Sequence, residues 1–242
     1  MSEERKSFRD KVFSVLTSPG TGFTLVEDVD LRKGVLIVLI IGLLSSWAGV
    51  VYLSKTEFDL SSLGQGVPTG MGGGRFARAR ERFFGSGSTP SDVDLEALRS
   101  TVMPFIAIGG MIGAFTSWLV PSVLLLIAAK ILIGDGSARR MLAMTAFASL
   151  PQVVRQLLRI VDAYTISSVD LTALRVPLFP SSSLVMSALN QGVLVLNVFG
   201  LLTMVLTVYA VSANYRSPNR RSLMVMALAY LAYILLKTFL PI

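Results

Sequence analysis

The sequence predicts an all-α, polytopic membrane helix bundle with five transmembrane helices and a cytoplasmic N-terminus. Three observations carry this. The 242 residues are 52% hydrophobic and only 15% charged, with a mean hydropathy of +0.66, whereas soluble domains carry about 25% charged residues. Several apolar runs reach the roughly 20 residues a helix needs to cross a bilayer. Two short turns, "KILIGDGSARR" and "NYRSPNRR", are basic, and only an odd number of spans puts both on the cytoplasmic side.

Residues 1–33 form a polar, helix-capable cytoplasmic segment. Phe8, Val12 and Leu16 recur at i, i+4, i+8, and Arg5, Lys6, Arg9 and Lys11 lie largely away from them. This spacing predicts a basic amphipathic helix suited to a headgroup region. "SPGTG" ends it at Pro19 and Gly20. The first span, 34–53, has no charge in twenty residues, with Trp47 and Tyr52 near its far end as interfacial anchors.

A flexible Gly/Arg-rich loop occupies 54–100. Its "GMGGGRFA" lacks the Lys-Ser/Thr ending of a phosphate loop and follows no predicted strand. "RFARARERFF" interleaves arginines with aromatics and reads as a solvated arm or a lipid-associating one. The second span, about 101–129, belongs to a longer apolar run in which Pro121 predicts a kink. Gly109 and Gly113 there form a small-xxx-small face for close helix packing.

The third span, about 141–165, contains "SLPQVVRQLLR". Its proline and two arginines raise the alternative of a re-entrant segment. Counting from Met141 through Ile166 gives about 39 Å of helix at 1.5 Å per residue, enough to cross, with Pro151 as a bend. Three readings of Arg155 and Arg159 stay open: the outer interface, pairing with Asp162, or a polar cavity that binds an anion. The fourth span, about 184–211, carries Asn190 and Asn197, seven apart. Such amides hydrogen-bond to a neighbouring helix or line a permeation path. The fifth span covers about 223–240.

Chemistry is limited by what is missing. Without cysteine or histidine the chain has no thiolate nucleophile, no imidazole base and no Cys/His metal site. No carboxylate pair falls within a span, so neither a catalytic residue, a cofactor site nor a metal site is expected. The net charge of +7 is assigned to topology and to anionic lipid headgroups, not to nucleic acid.

The layout resembles the Yip domain family, the Ypt/Rab-interacting membrane proteins with five spans and a cytoplasmic N-terminus. The resemblance rests on "LTSPGTGFTLV" with Pro19 and Phe23, "KILIGDGSARRML", "AFASLPQVV" and "NYRSPNRR", in that order. The long first loop and Ala146-Phe147-Ala148 ahead of the Ser-Leu-Pro make it similar to the prokaryotic members. The resemblance implies a cell-membrane protein that interacts with protein partners, with copies of itself, or with the bilayer it organises, and no catalysis. The rival reading from the residues is a channel or transporter for a small solute or anion.

Overall fold

A computed structural model of the chain describes residues 7–57, 95–166, 169–170 and 197–239. Eight α-helices are described: α1 (Phe8–Thr17), α2 (Pro19–Gly22), α3 (Leu31–Ser54), α4 (Leu95–Leu132), α5 (Ala138–Ala148), α6 (Leu150–Thr165), α7 (Val198–Tyr215) and α8 (Asn219–Phe239). Two short 3₁₀ turns, Phe23–Leu25 and Asp28–Asp30, precede α3. A two-residue parallel pair, Thr56–Glu57 with Val169–Asp170, is the strand content described. The architecture is an all-α polytopic bundle. Four helical stretches are long and apolar enough to cross a membrane: Asp28–Ser54, Ser100–Leu132, Val198–Tyr215 and Asn219–Phe239.

The N-terminal segment folds onto one end of the bundle. Ser7 and Asp10 form a reciprocal capping box that starts α1. Phe8 and Val12 pack against the main core cluster, and Val15 is fully buried in it. The Phe8 ring meets the Phe147 ring edge-on at 5.8 Å. The inward stripe is therefore Phe8, Val12 and Val15. Leu16, expected on that stripe, is half-exposed, because i+8 lies about 80° around the helix from i, whereas i+7 lies about 20° from it. Lys11, expected on the polar face, is buried against Asp30 at 2.5 Å.

Helices α3 and α4 pack closely along a seam of small residues. A Cβ on Gly110 would lie 2.6 Å from Ser46 Oγ and 2.8 Å from Ser46 Cα, and one on Gly42 would lie 2.9 Å from Met111 Sδ. Gly109 and Gly113 correct the sequence expectation. Each has open space where a Cβ would go, among the described residues. The packing face is Gly110 with buried Ala114, one residue along.

The expected third span is two helices, α5 and α6, that meet at Ser149, the first residue of "SLPQVVRQLLR", with Pro151 in the first turn of α6, where a missing N–H is tolerated. Together α5 and α6 run parallel to α3, start beside start and end beside end. Gly34, near the start of α3, faces Ala143 and Ala146. Near its end, the Tyr52 hydroxyl donates to Asp162 (2.5 Å), and Lys55 Nζ donates to the Tyr164 and Ile166 carbonyls. The broken pair thus reaches from one end of the 24-residue α3 to the other.

Other boundaries differ from the sequence reading. α4 runs as one helix through Pro104 and Pro121. α7 begins at Val198, because Asn197 accepts the Gly200 N–H at 2.9 Å and so caps a helix instead of lying within one. Asn190 and most of the 54–100 loop lie outside the described residues.

The exterior is apolar, as lipid contact requires. Leu36, Ile40, Leu43 and Trp47 form one exposed stripe on α3, and Val154, Leu157, Leu158 and Val161 form another on α6. Gln152 and Arg155, which lie off that α6 stripe, line an internal cavity.

Candidate functional site

The α6 pattern determines where its polar side chains go. Apolar residues at i, i+3, i+4 and i+7 cover the lipid-facing side, which leaves the Gln152, Arg155, Gln156 and Arg159 series for the bundle. A charged group in hydrocarbon is costly, so this orientation follows from solvation. Arg155 lines a cavity of about 400 Å³ bounded by α3, α4, α5, α6, α7 and α8.

The cavity has a polar floor. The Trp118 indole N–H and the Ser122 hydroxyl both donate to Thr145 Oγ1, at 3.2 and 2.8 Å, and Ser149 caps its own turn by donating to the Thr145 carbonyl. Its wall on α6 is Gln152, Arg155 and Gln156. Gln152 Nε2 donates to Thr203 Oγ1 across to α7 at 3.1 Å, and Arg155 Nη1 donates to Gln152 Oε1 at 3.4 Å. The start of α7 contributes Asn197 and Gly200, and α8 contributes Tyr230, Tyr233 and Lys237.

Two cations, Arg155 and Lys237, therefore line one cavity, and no Asp or Glu is among its described lining residues. Pro121 also lines it. A proline has no N–H to give the carbonyl four residues earlier, that of Ser117, which lines the same cavity. Among the described residues no three His, Cys, Asp or Glu side chains converge. The chemistry on offer is positive charge with neutral hydrogen-bonding groups.

Arg155, Asn197, Pro121 and Gly113 come together here, whereas Arg159 and Asp162 do not. Arg159 lies over the Tyr52 ring, 5.9 Å from its centroid, and donates to Gln156. Asp162 accepts from the Tyr52 hydroxyl. With Trp47 donating to the Tyr164 hydroxyl at 3.4 Å, these residues form an aromatic and charged belt at the far end of α3, where interfacial side chains are expected. The sequence reading missed Gln152, Tyr230, Tyr233 and Lys237 as cavity residues. The last three stand at i, i+3 and i+7, one face of α8, and that spacing was the available signal.

At the other end of the bundle, three segments are tied into one platform. Arg140 Nε donates to the Val26 carbonyl at 2.9 Å, and Ser137 Oγ donates to Asp28 Oδ1 at 2.7 Å. Asn214 Nδ2 donates to the Ser137 carbonyl at 3.2 Å. Gly134, at φ 125°, supplies a backbone conformation that side chains disfavour. A Cβ on Gly136 would lie 2.5 Å from the Tyr215 ring.

The family model for the Yip1 domain matches residues 13–240. The chain belongs to the Yip1 domain family. It is a multi-pass membrane protein. A search of curated proteins and a search of solved structures each return no match. Within this Yip1 domain, "IGDGSARR" is the platform turn between α4 and α5, and "ASLP" is the break between α5 and α6.

Proposed function

We propose that this Yip1 domain protein is a non-enzymatic scaffold or adaptor of the cell membrane, crossing it five times with its N-terminus in the cytoplasm. The observation that supports the reading most is the platform. The N-terminal segment, the α4–α5 turn and the α7–α8 turn are cross-bonded there, and Arg139, Arg216, Arg220 and Arg221 are left exposed. A fixed array of exposed guanidinium groups suits anionic headgroups and the acidic surface of a protein partner or a second copy. Nothing about it calls for nucleic acid.

Five crossings fit the reach of α5 and α6 along the whole of α3. Cysteine labelling tests the topology in a chain that has none of its own. Ser137 and Ser217 are poor positions, because one bonds Asp28 and the other is buried against Ser222. Exposed Asp135, Arg220 and Thr165 serve instead. Cysteines at 135 and 220 should be shielded from an impermeant maleimide in intact cells, and one at 165 labelled. Labelling of 135 and 165 from the same side would remove the five-span reading.

Photo-crosslinkers at Arg139 and Arg220, with one at Thr165 as control, test the scaffold itself. The platform positions should yield the same discrete protein adduct, weakened at least fivefold when Arg216 and Arg221 are replaced by alanine. Absence of any discrete adduct from the inserted, folded protein would overturn the reading.

The cavity keeps the channel or transporter reading as the alternative, because Arg155 and Asn197 line it together. Solute flux in proteoliposomes would favour that alternative. Intact protein without flux would exclude it.

A further inference from the structure

Among the described residues the central cavity has an unbalanced charge. Arg155 and Lys237 line the same space from α6 and α8, with no described carboxylate on its walls. The acid nearest in sequence to the α6 arginines, Asp162, is engaged by Tyr52. Two like charges in a site of low dielectric repel each other and forfeit hydration, and an anion between them relieves both costs. The neutral groups present match an anion. Gln152 and Tyr230 bring hydrogen-bonding groups, and the start of α7 at Asn197 brings the positive end of an 18-residue helix to the same wall. Arg presents a planar fork that fits two oxygens of one oxyanion, and Lys adds a point charge.

The site also has a side entrance. A smaller cavity of about 110 Å³ lies between α4 and α8 and shares Gly113, Ser117, Tyr233 and Lys237 with the central one. Gly113 and Ser117 are exposed, and a Cβ on Gly113 would meet nothing within 4 Å among the described residues. The entrance therefore faces the side of the bundle, where lipid lies, and Lys237 stands on both cavities.

We propose that this cavity is a binding site for a phosphate-type oxyanion, held by Arg155 and Lys237 and reached between α4 and α8. Two sources carry this group: inorganic phosphate, and the phosphodiester of a phospholipid whose acyl chains stay in the bilayer beside α4 and α8. The site is separate from the platform and stands whether or not the platform binds a partner.

The test uses the full chain, purified and stripped of lipid. Inorganic phosphate is titrated in one arm by equilibrium dialysis with radiolabelled phosphate. In the other, native mass spectrometry follows release from nanodiscs of phosphatidylglycerol or of phosphatidylcholine. Binding in either arm should fall at least tenfold in Arg155→Gln and in Lys237→Gln. It should stay within twofold in Arg159→Gln, whose side chain lies over Tyr52 outside the cavity. Gly113→Leu separates the sources. Because that position is open among the described residues, the variant should fold, narrow the entrance too far for a phospholipid, and still admit the smaller free phosphate.

Circular dichroism and gel filtration establish that each variant is folded. Retained lipid that is lost in Gly113→Leu assigns the phospholipid, and phosphate binding that survives it assigns the free anion. If the wild-type chain binds neither probe, or if Arg159→Gln loses as much as Arg155→Gln, the site is refuted. The wild-type titrations decide the first point even should the cavity variants fail to fold.

Discussion

Gly110→Ala destabilises the folded protein by about 1–3 kcal/mol, the usual cost of overpacking, while Gly109→Ala, one residue away, stays within about 0.5 kcal/mol. The new methyl at 110 would lie 2.6–2.8 Å from the Oγ, Cα and N atoms of Ser46. Two of those atoms are helix backbone, so they cannot rotate away as the end of a long side chain can. Relief requires α3 and α4 to separate, and the Ser46 hydroxyl then loses its 2.5 Å hydrogen bond to the Ala107 carbonyl. Gly110→Leu enlarges the clash and should abolish recovery of monodisperse protein. Thermal unfolding in detergent, followed by circular dichroism, compares the three variants with the wild type. Equal loss at 109 and 110 would show that the α3–α4 seam is misplaced.

That contrast also shows what could be read in the sequence. Residues 109–114 hold two overlapping small-xxx-small pairs, Gly109 with Gly113 and Gly110 with Ala114. They lie about 100° apart around the helix, and composition alone does not say which faces α3. The presence of several long apolar helices was legible, because hydrocarbon thickness sets their length and apolar content. The α5–α6 break was legible from Pro151 and fell two residues earlier, since proline is accommodated inside the first turn of the new helix.

Asn197 illustrates the opposite difficulty. Set between apolar neighbours it reads as a polar residue within a span, but its side chain caps α7. Arg155 and Arg159 sit four apart and read as one pair, yet Arg155 lines the cavity while Arg159 lies over Tyr52. A slight difference in angle around α6 places them against different neighbours, and neighbours come from tertiary structure. Lys237 lies near the end of the last apolar run, and only the packing of α8 against α4 sets it beside a cavity.

Asp30→Ala is expected to cost about 3–5 kcal/mol, the loss typical of removing one partner of a buried ion pair, and to release the N-terminal helix from the bundle. The Asp30 side chain is fully buried and accepts from Lys11 Nζ at 2.5 Å, Lys33 Nζ at 2.8 Å and the Glu27 N–H at 3.0 Å. Lys33 is partly exposed and can turn to water, but the Lys11 side chain is only 7% exposed. Without Asp30 an ammonium group is left buried with no counter-charge. Moving α1 away is the simplest escape, and Phe8, Val12 and Val15 then leave the core with it.

The two partners should not be equivalent. Lys11→Met removes a buried charge and leaves Asp30 its bonds to Lys33 and Glu27, so its cost is smaller than that of Asp30→Ala. In the double variant Lys11→Met/Asp30→Ala no buried cation remains, and stability should recover partly from the Asp30→Ala level. Limited proteolysis within residues 17–27, with thermal unfolding on the same samples, reads both effects. The order should be wild type, Lys11→Met, the double variant, then Asp30→Ala, from most to least resistant. If the double variant is no more resistant than Asp30→Ala, the penalty comes from the helix start itself and not from a stranded charge. Because the platform bonds run through Thr24, Val26 and Asp28, loosening this anchor should also weaken the platform crosslinks, while phosphate binding in the cavity, which uses none of these residues, persists.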